Sequence, residues 1–503
     1  MTWKVAARLS PWSLLFVSLA STATAVAGEA NLLASSSDPR YRAVGQLAWD
    51  VASDMETATA TCTGSIVAGS ARPDPKRAAL VLTSGHCVLG HDPEPNQVGI
   101  NADPSADLRF TPAFFQDAQA VQATTRVARV LYATTKGMDV AVLQLDASYG
   151  DLKARGIAPL VPMPVAADGM SDMPVDLVHV PAHAVPVPDR FLRLSECTAR
   201  EPTRLFEGER FLLRESATDC AGISGGSSGS PVLRRNTSEL IGVLGTIVDP
   251  RFDGCGFDRP CELTARQSYS RAGASYHSLV GPLLAAFRTD GSWNPTSLDR
   301  GDGVRLERSV GQYTRSQVME DGVPGPARWG VIVGDDTRWI RYKHGDAATV
   351  DCADIQGYSE PVLARELPMN RLPLPPVEGV YAMCVIGQLG IDNDWQSPAH
   401  ASVMLRVIDD TPPSVVPEPE IVEDLDAAWI VRIDSPYVSP PIVKAGRLAT
   451  TDCADPAGYR TIDTTVLSLP KAKAPLRICA KGSDEAGNLS PTGSKDLLNF
   501  PSG

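Results

Sequence analysis

Short apolar runs broken by turn residues dominate the first 290 positions of the chain. Examples are residues 125–132 and 240–248, which lie between clusters of Gly, Pro, Asp and Ser. Runs of this length and spacing predict β-strands joined by turns, and so an all-β fold. One exception is 278–288, where Leu279, Leu283 and Phe287 recur at helical spacing and predict a helix that closes this part of the chain.

The second half of the chain repeats itself. Cys352 and its acidic neighbours return 101 residues later at Cys453, and Cys384 corresponds to Cys479. A repeat of this length suits one β-sandwich per unit, immunoglobulin-like or fibronectin-like. A tryptophan precedes the first cysteine of each unit, whereas immunoglobulin domains place it between the two cysteines. The pattern therefore predicts the sandwich architecture and not the family.

Length and charge limit the class of protein. At 503 residues the chain is long enough for roughly three domains. Lys and Arg number 46 against 59 Asp and Glu, a formal net charge of −13, which repels phosphate backbones and anionic lipids. We therefore expect no nucleic-acid partner.

The N-terminus has the pattern of an export signal. Lys4 and Arg8 precede an apolar stretch at 12–20, and the small residues Ala25 and Ala27 fit a cleavage site. We expect a secretory signal ending at Ala27 and a protein that is extracellular or periplasmic. The stretch is too short to span a bilayer, and no later run approaches the roughly 20 apolar residues that a membrane helix needs. An uncleaved anchor is the alternative.

Ten cysteines in an exported chain indicate disulfides rather than metal ligands. Connectivity does not follow from sequence alone, but the order along the chain suggests five pairs. These are Cys62 with Cys87, Cys197 with Cys220, Cys255 with Cys261, Cys352 with Cys384, and Cys453 with Cys479.

Three motifs carry the candidate chemistry. His86 stands in the block LTSGHC at 82–87, Asp139 starts the apolar run at 140–143, and Ser228 stands in GSSGSP at 226–231. A hydroxyl, a base and a carboxylate that orients the base are what nucleophilic attack on an amide requires.

Each candidate also has an ordinary structural explanation. Asp146 and Asp151 compete with Asp139, and a Gly/Ser-rich run is often a flexible loop. We expect the other histidines to be surface or core residues without a catalytic role: His91, His179, His183, His277, His344 and His400.

Together with the segment CTGS at 62–65, these motifs resemble the trypsin- and chymotrypsin-like serine proteases over roughly half the chain, and the bacterial V8-like branch most of all. The resemblance implies a double β-barrel with His86 as general base, Asp139 as its orienting carboxylate and Ser228 as nucleophile. It also implies protein or peptide substrates and no metal or other cofactor. The glycines around Ser228 make the amides of Gly226 and Ser228 candidates for the oxyanion hole.

A second motif overlaps the first. Residues 225–229 also satisfy Gly-x-Ser-x-Gly, the nucleophile elbow of α/β-hydrolase esterases, with Ser227 as nucleophile. That elbow needs a helix after the serine and a histidine later in the chain, whereas the residues after Ser228 are typical of a strand. A catalytically silent adhesion or binding protein is the other alternative.

The chain departs from animal members of the family at two positions. They have Asp before the nucleophile, where this chain has Ser227, so a new terminus made by cleavage after Arg42 would find no carboxylate there. Trypsin-type members have Asp six residues before the nucleophile, where this chain has Gly222. We therefore expect activation without that ion pair, and no preference for Lys or Arg.

The predicted substrate pocket is apolar and weakly selective. It consists of Gly222, Ile223, Val243 and Leu244, with Leu244 near the position where glutamate-specific relatives carry His. Because the base must be neutral, we expect activity to rise around pH 6 to 7.

The predicted organisation has six parts. They are a signal peptide at 1–27, an N-terminal segment or short propeptide at 28–42, a protease domain at 43–290, a linker at 291–303, and β-sandwich repeats at 304–409 and 410–503. The repeats carry no nucleophile and base, so we expect them to bind, space or anchor, with a cell-surface or matrix ligand as a possible partner.

Overall fold

The computed structural model describes residues 30–498 apart from 36, 53–56, 91–93, 106, 166–169, 184, 249–253, 257, 266, 321, 335–336, 366–368, 390–393 and 435–438. The predicted signal peptide and His91 lie outside the described residues. The all-β prediction is confirmed, because the described residues contain 34 strands and only two short α-helices. The helices are α1 (His86–Leu89) and α2 (Tyr149–Ala154).

The first barrel closes from six strands. Its hydrogen-bonded order is β7-β6-β2-β3-β4-β8, and β8 pairs again with β7 to complete the ring, while β5 adds to β7. The strands are β2 (Val44–Ala52), β3 (Thr57–Val67), β4 (Ala78–Thr83), β5 (Val98–Ala102), β6 (Arg109–Pro112), β7 (Thr125–Thr134) and β8 (Val140–Ser148). A closed ring leaves no strand edge unpaired, and its interior holds Leu47, Ile66, Phe110 and Leu143.

The second barrel closes in the same way, in the order β10-β13-β14-β17-β12-β11, with β11 pairing back onto β10. Its ring strands are β10 (Met173–His179), β11 (Arg193–Glu207), β12 (Arg210–Thr218), β13 (Pro231–Arg234), β14 (Glu239–Ile247) and β17 (Ser275–Leu279). Four short strands extend it: β1 (Asn31–Leu32), β9 (Val161–Pro162), β15 (Cys261–Thr264) and β16 (Gln267–Tyr269).

The helix predicted at 278–288 is wrong. Ser278 belongs to strand β17, where it pairs with Val243 and Glu215, and the chain then makes a 3-10 helix at Gly281–Ala286. The apolar spacing was real, because Leu283 is fully buried and Phe287 nearly so. Sheet pairing on both sides of β17 outweighs the local helical pattern at Ser278.

The first C-terminal unit follows a linker that contains a 3-10 turn at Pro295–Ser297. Its main sheet has the order β19-β27-β25-β23-β24, with β26 added to β25. Two two-stranded sheets, β18-β22 and β20-β21, complete the unit. The strands are β18 (Leu306–Arg308), β19 (Tyr313–Thr314), β20 (Gln317–Glu320), β21 (Val323–Pro326), β22 (Val331–Val333), β23 (Trp339–Asp346), β24 (Val362–Leu363), β25 (Gly379–Leu389), β26 (Asp394–Trp395) and β27 (Ser402–Ile408). Trp329 lies at the centre of its core and is fully buried.

The second C-terminal unit is made of two sheets, ordered β28-β29-β32 and β31-β30-β33-β34. Its strands are β28 (Glu418–Asp424), β29 (Ala428–Asp434), β30 (Ile442–Arg447), β31 (Arg460–Thr461), β32 (Val466–Pro470), β33 (Leu476–Lys481) and β34 (Gly493–Leu497). Trp429 and Val431 from one sheet share a core with Ile478 and Leu497 from the other, so the two sheets face each other.

The two C-terminal units share one local arrangement of side chains. In each unit a lysine ammonium lies over a tyrosine ring and donates to backbone carbonyls of the acidic turn. Each tyrosine hydroxyl donates to the carbonyl of the first cysteine at 2.8 Å. The equivalent residues are Lys343 and Lys444, Tyr358 and Tyr459, and Cys352 and Cys453. The repeated sequence therefore corresponds to a repeated set of contacts around the first cysteine of each unit.

All ten cysteines are in disulfides, joined in the five pairs that the sequence order suggested. None of the described helices is long and apolar enough to cross a membrane.

Candidate functional site

A cleft of about 820 Å³ contains the residues that the motifs singled out. The loop of His86 after β4 forms one side, and the loop that carries Ser228 before β13 forms the other. Because these loops belong to different barrels, the cleft exists only where the two barrels meet.

His86 is the first residue of α1, and its neighbour Cys87 is bonded to Cys62 on β3. The disulfide joins this loop covalently to the wall of the first barrel. The His86 side chain is 16 % exposed, and its Nδ1 lies 2.6 Å from Oδ2 of Asp139. The His86 backbone N–H also donates to Asp139 Oδ1, at 3.0 Å. These two bonds fix the ring against the carboxylate.

Asp139 is a buried carboxylate, with a side chain only 1 % exposed. Burial by itself raises its pKa, but the charge and hydrogen bond of His86, together with the guanidinium of Arg210, outweigh burial and hold the pKa below its usual value. Arg210 Nη1 lies 3.8 Å from Asp139 Oδ2. At Gly245 a Cβ would lie 3.2 Å from the same oxygen, so a small residue leaves room for the carboxylate.

A second buried acid lies behind Asp139. The Asp139 backbone N–H donates to Ser278 Oγ at 2.9 Å, and Ser278 Oγ donates to Glu215 Oε1 at 2.5 Å. Burial above all, with the nearby charges of Asp139 and Glu207, raises the pKa of Glu215 to about 8, although the hydrogen bond from Ser278 acts in the opposite direction. Glu215 is therefore a neutral acid at pH 7, and places no second negative charge beside Asp139.

Ser228 lies in a loop that is pressed against the first barrel. Its carbonyl accepts a hydrogen bond from the Thr63 N–H at 2.8 Å. Gly229 follows at φ +85°, where a Cβ would lie 2.1 Å from the oxygens of Thr63 and Thr83. Only glycine allows this approach. The Ser228 Oγ has no hydrogen-bond partner among the described residues and faces the cleft.

The backbone around Ser228 presents unpaired donors. The N–H groups of Gly226 and Ser228 donate to no described residue, whereas the intervening Ser227 N–H bonds to the Ser224 carbonyl at 2.9 Å. Gly226 has φ +94° and lines the cleft with Ser228. Two unpaired amides next to a free hydroxyl are the arrangement that stabilises a developing oxyanion.

Sequence reasoning missed the role of His179. Ser195 Oγ donates to the Ala221 carbonyl at 2.6 Å, so it accepts from His179 Nε2, 3.2 Å away. His179 Nδ1 then accepts from the Ser227 hydroxyl at 2.9 Å. Ser227 Oγ in turn accepts from the Ser224 N–H at 3.3 Å. Burial lowers the pKa of His179 to about 3, so the ring is neutral and every group in this chain is satisfied.

The chain of bonds links the loop that carries Ser228 to the wall of the second barrel. No motif in the sequence marks His179. Its position as the last residue of strand β10 is the feature that places it beside the loop of Ser228. The same contacts bury Ser227 completely, with its hydroxyl directed at His179.

The other predicted residues lie in different places. Ile223 and Leu244 line the cleft, but Gly222 and Val243 are not among its described lining residues. Val243, on β14 of the second barrel, packs in a buried hydrophobic cluster that contains residues of both barrels, and a Cβ at Gly222 would contact Ala30. Leu244 thus lines the cleft, whereas the side chain of Val243 lies on the opposite face of strand β14, because side chains alternate between the two faces of a strand.

Neither competing carboxylate reaches the site. Asp146 is exposed, and Asp151 caps the helix α2 by exchanging hydrogen bonds with Ser148. Of the remaining described histidines, His183 lines the cleft, and His277 is fully buried with both ring nitrogens unpartnered.

Among the described residues, one group of side chains has donor atoms close enough together to bind a metal ion. It consists of Cys62, His86 and Cys87, whose donor atoms lie within 4.8 Å of one another. Both sulfurs belong to the disulfide, so neither is a thiolate that could bind a metal ion.

Comparison with known proteins agrees with this geometry. Residues 62–243 match the family model of the trypsin-like peptidase domain. The chain therefore contains a region similar to trypsin-like peptidases. That region begins at Cys62 and includes His86, Asp139 and Ser228. No curated protein matches the sequence.

Several solved structures resemble the chain at low identity. The scabies mite inactivated protease paralogue S-I1 is 15% identical, covers 51% of this chain and 96% of its own, and has a TM-score of 0.33. Human heparin binding protein is 13% identical, with 49% and 90% covered and a TM-score of 0.30. HL collagenase is 14% identical, with 50% and 93% covered and a TM-score of 0.30.

The buried acid Glu215 predicts a dependence of stability on pH. Its folded pKa of about 8 lies above the ordinary value of 4.5, so the folded state keeps a proton that the unfolded chain releases. This stabilisation is complete below about pH 4.5 and is lost as the pH rises toward 8. In Glu215→Gln, which stays neutral, the decline of Tm with rising pH should become shallower. Glu201→Gln, at an exposed position on β11, is the control. An unchanged decline in Glu215→Gln would refute the assignment.

The bond between Ser227 and His179 predicts a loss of stability in Ser227→Ala. The variant leaves the buried Nδ1 of His179 without a donor, which costs about 1 to 3 kcal/mol. Denaturant unfolding measures this loss, and the exposed Ser37→Ala serves as the control. Equal stability of Ser227→Ala and the parent protein would mean that the hydrogen bond is not formed.

Proposed function

We propose that this protein is a secreted serine endopeptidase of the V8-like branch that hydrolyses peptide bonds through an acyl-enzyme intermediate. One observation carries the proposal: the His86–Asp139 pair, the free hydroxyl of Ser228 and two unpaired amides all face one cleft. The export signal in the sequence and the five disulfides support secretion.

In the first half of the reaction, Ser228 Oγ attacks the carbonyl carbon of the substrate and passes its proton to Nε2 of His86. Asp139 accepts the Nδ1–H bond, keeps the correct tautomer and stabilises the imidazolium that forms. The carbonyl oxygen becomes an oxyanion that accepts from the N–H groups of Gly226 and Ser228. The C–N bond then breaks, and His86 gives the proton to the leaving amine.

In the second half, water takes the place of the amine. His86 removes a proton from it, the hydroxide attacks the ester carbon on Ser228, and the same amides hold the second oxyanion. Collapse releases the acid and returns the proton to Ser228. Apart from the substrate and this water molecule, each step uses only side chains and backbone of this chain.

The cleft wall near Ser228 favours apolar substrate side chains. Ile223 supplies apolar surface there, the nearly fully buried Leu244 lies in the wall behind it, and no carboxylate stands at position 222. We therefore propose weak selectivity with Leu, Tyr or Phe on the acyl side of the cleaved bond. Cleavage of a peptide set only after Arg or Lys would contradict this.

The esterase alternative has less support. Ser227 is fully buried and bonded to His179, and strand β13 begins three residues after Ser228 where the nucleophile elbow needs a helix. For the two C-terminal units we propose immunoglobulin-like or fibronectin-like sandwiches. The facing sheets of the second unit support this architecture.

Replacement of the nucleophile tests the proposal. Ser228→Ala should reduce kcat/KM on unstructured protein and peptide substrates by at least about a thousandfold, because only oxyanion binding remains. Ser105→Ala, an exposed serine of the same cleft, should keep parental activity. Peptide hydrolysis that survives in Ser228→Ala at the parental rate would overturn the assignment of the nucleophile.

The N-terminal segment predicts activity without cleavage after Arg42. Ala43 is 1 % exposed, its carbonyl accepts from the Ile66 N–H, and the Arg42 carbonyl accepts from the Ala113 N–H. Strand β1 also pairs with β11 of the second barrel. We expect Arg42→Gln to match the parental kcat, with Edman sequencing showing an uncut segment. An inactive Arg42→Gln that regains activity when the chain is cut at this point by another protease would show that cleavage is required.

A further inference from the structure

The first C-terminal unit is joined to the second barrel by a continuous hydrophobic core. This core buries both aromatic residues of the β11–β12 hairpin between the barrel and the sheet of the C-terminal unit. Its members from the barrel are Phe206, Phe211, Cys261 and Leu263, and those from the unit are Ala347, Val380, Ala382, Leu405 and Val407. Phe206 is fully buried and Phe211 is 7 % exposed, so this surface is core and not a domain exterior.

Polar contacts hold the tip of the same hairpin. The Gln312 side chain donates from Nε2 to the Gly208 carbonyl at 2.6 Å, and Arg308 pairs with Glu209. Lower on β11, the Arg204 guanidinium donates to the carbonyls of Ala347 and Val350, at 2.9 and 2.6 Å. Both residues of the turn, Gly208 and Glu209, are thus bonded to the C-terminal unit.

The opposite face of the hairpin supports the catalytic carboxylate. Glu207 and Arg210 form an ion pair of 2.9 Å, with side chains 1 % and 8 % exposed. Arg210 lies 3.8 Å from Asp139, and Thr246 donates to Glu207 at 2.7 Å. The two turn residues between Glu207 and Arg210 are the ones that the C-terminal unit binds.

The loop that precedes Asp139 is held from the same side. The Gly137 N–H donates to the Phe211 carbonyl at 3.2 Å, and the Gly137 carbonyl accepts from the Leu213 N–H at 2.9 Å. Lys136 Nζ pairs with Asp299 of the linker at 2.6 Å and donates to the His400 carbonyl at 2.7 Å. The first barrel therefore reaches the C-terminal unit three residues before Asp139.

We propose that the first C-terminal unit is a positioning element of the catalytic site. It holds the β11–β12 hairpin so that Arg210 stays against Asp139, and it makes Gln312 and Lys136 positioning residues for the carboxylate. The proposal rests on the proposed protease function and deepens it. Under this proposal the first C-terminal unit acts by holding the catalytic residues in place, and not as a separate targeting domain.

The full-length Gln312→Ala variant tests this proposal. Loss of the bond to Gly208 loosens the hairpin, so we expect kcat for a small peptide substrate to fall about threefold to tenfold, with KM within about twofold. The acidic limb of the kcat profile should move to higher pH, because a loosened hairpin takes the Arg210 charge away from Asp139 and leaves that carboxylate to stabilise the His86 imidazolium more strongly. Gln317→Ala, at an exposed position of the same unit, should match the parent protein in both measurements.

A second variant separates catalytic positioning from folding. Lys136→Met breaks the contacts to Asp299 and His400 and should produce the same fall in kcat and the same shift of the acidic limb. Melting curves of both variants establish that they are folded at the assay temperature. Parental kcat and pH profiles in folded Gln312→Ala and Lys136→Met would overturn the proposal. An inactive parent protein would instead refute the proposed function, so the two failures are distinguishable.

Discussion

The structure depends on keeping one ionised carboxylate in a buried position. Asp139 is almost wholly removed from solvent, and an unpaired charge in such a place costs several kcal/mol. The chain compensates it with His86 on the cleft side and Arg210 on the other. Glu215, which is linked to the Asp139 backbone through Ser278, stays protonated because burial raises its pKa to about 8. Among the described residues, His86 connects the Asp139 carboxylate to the cleft.

The groups around Asp139 come from two barrels, and the first C-terminal unit packs against the second of them. Asp139 and His86 belong to the first barrel, whereas Arg210 and the Ser228 loop belong to the second. A hairpin that carries a compensating charge must not move, since a displacement of about 1 Å can cost a hundredfold in rate. In this chain the outer face of that hairpin is packed against the first C-terminal unit. In the proposed arrangement, the geometry at Asp139 therefore depends on three packed parts of one chain.

Short sequence motifs marked residues that lie at or next to the cleft, and no motif marked the residues that hold them in place. His86, Asp139 and Ser228 lie in short motifs with fixed neighbours, and the cysteine order matched the five disulfides. Arg210 and His179 act across the fold, at separations that no local pattern encodes. The helix expected near Ser278 became a strand because two neighbouring strands pair with it. Of the expected pocket, Ile223 and Leu244 line the cleft, whereas Val243 lies on the opposite face of strand β14, in the cluster that contains residues of both barrels.

The role of Ser228 is tested most directly by reacting the purified protein with a labelled fluorophosphonate and locating the modified residue by peptide mass mapping. If Ser228 is the nucleophile, one label forms on Ser228; it is absent in Ser228→Ala and much slower to form in His86→Ala. A label on Ser227, or labelling of Ser228 at the parental rate without His86, would contradict it.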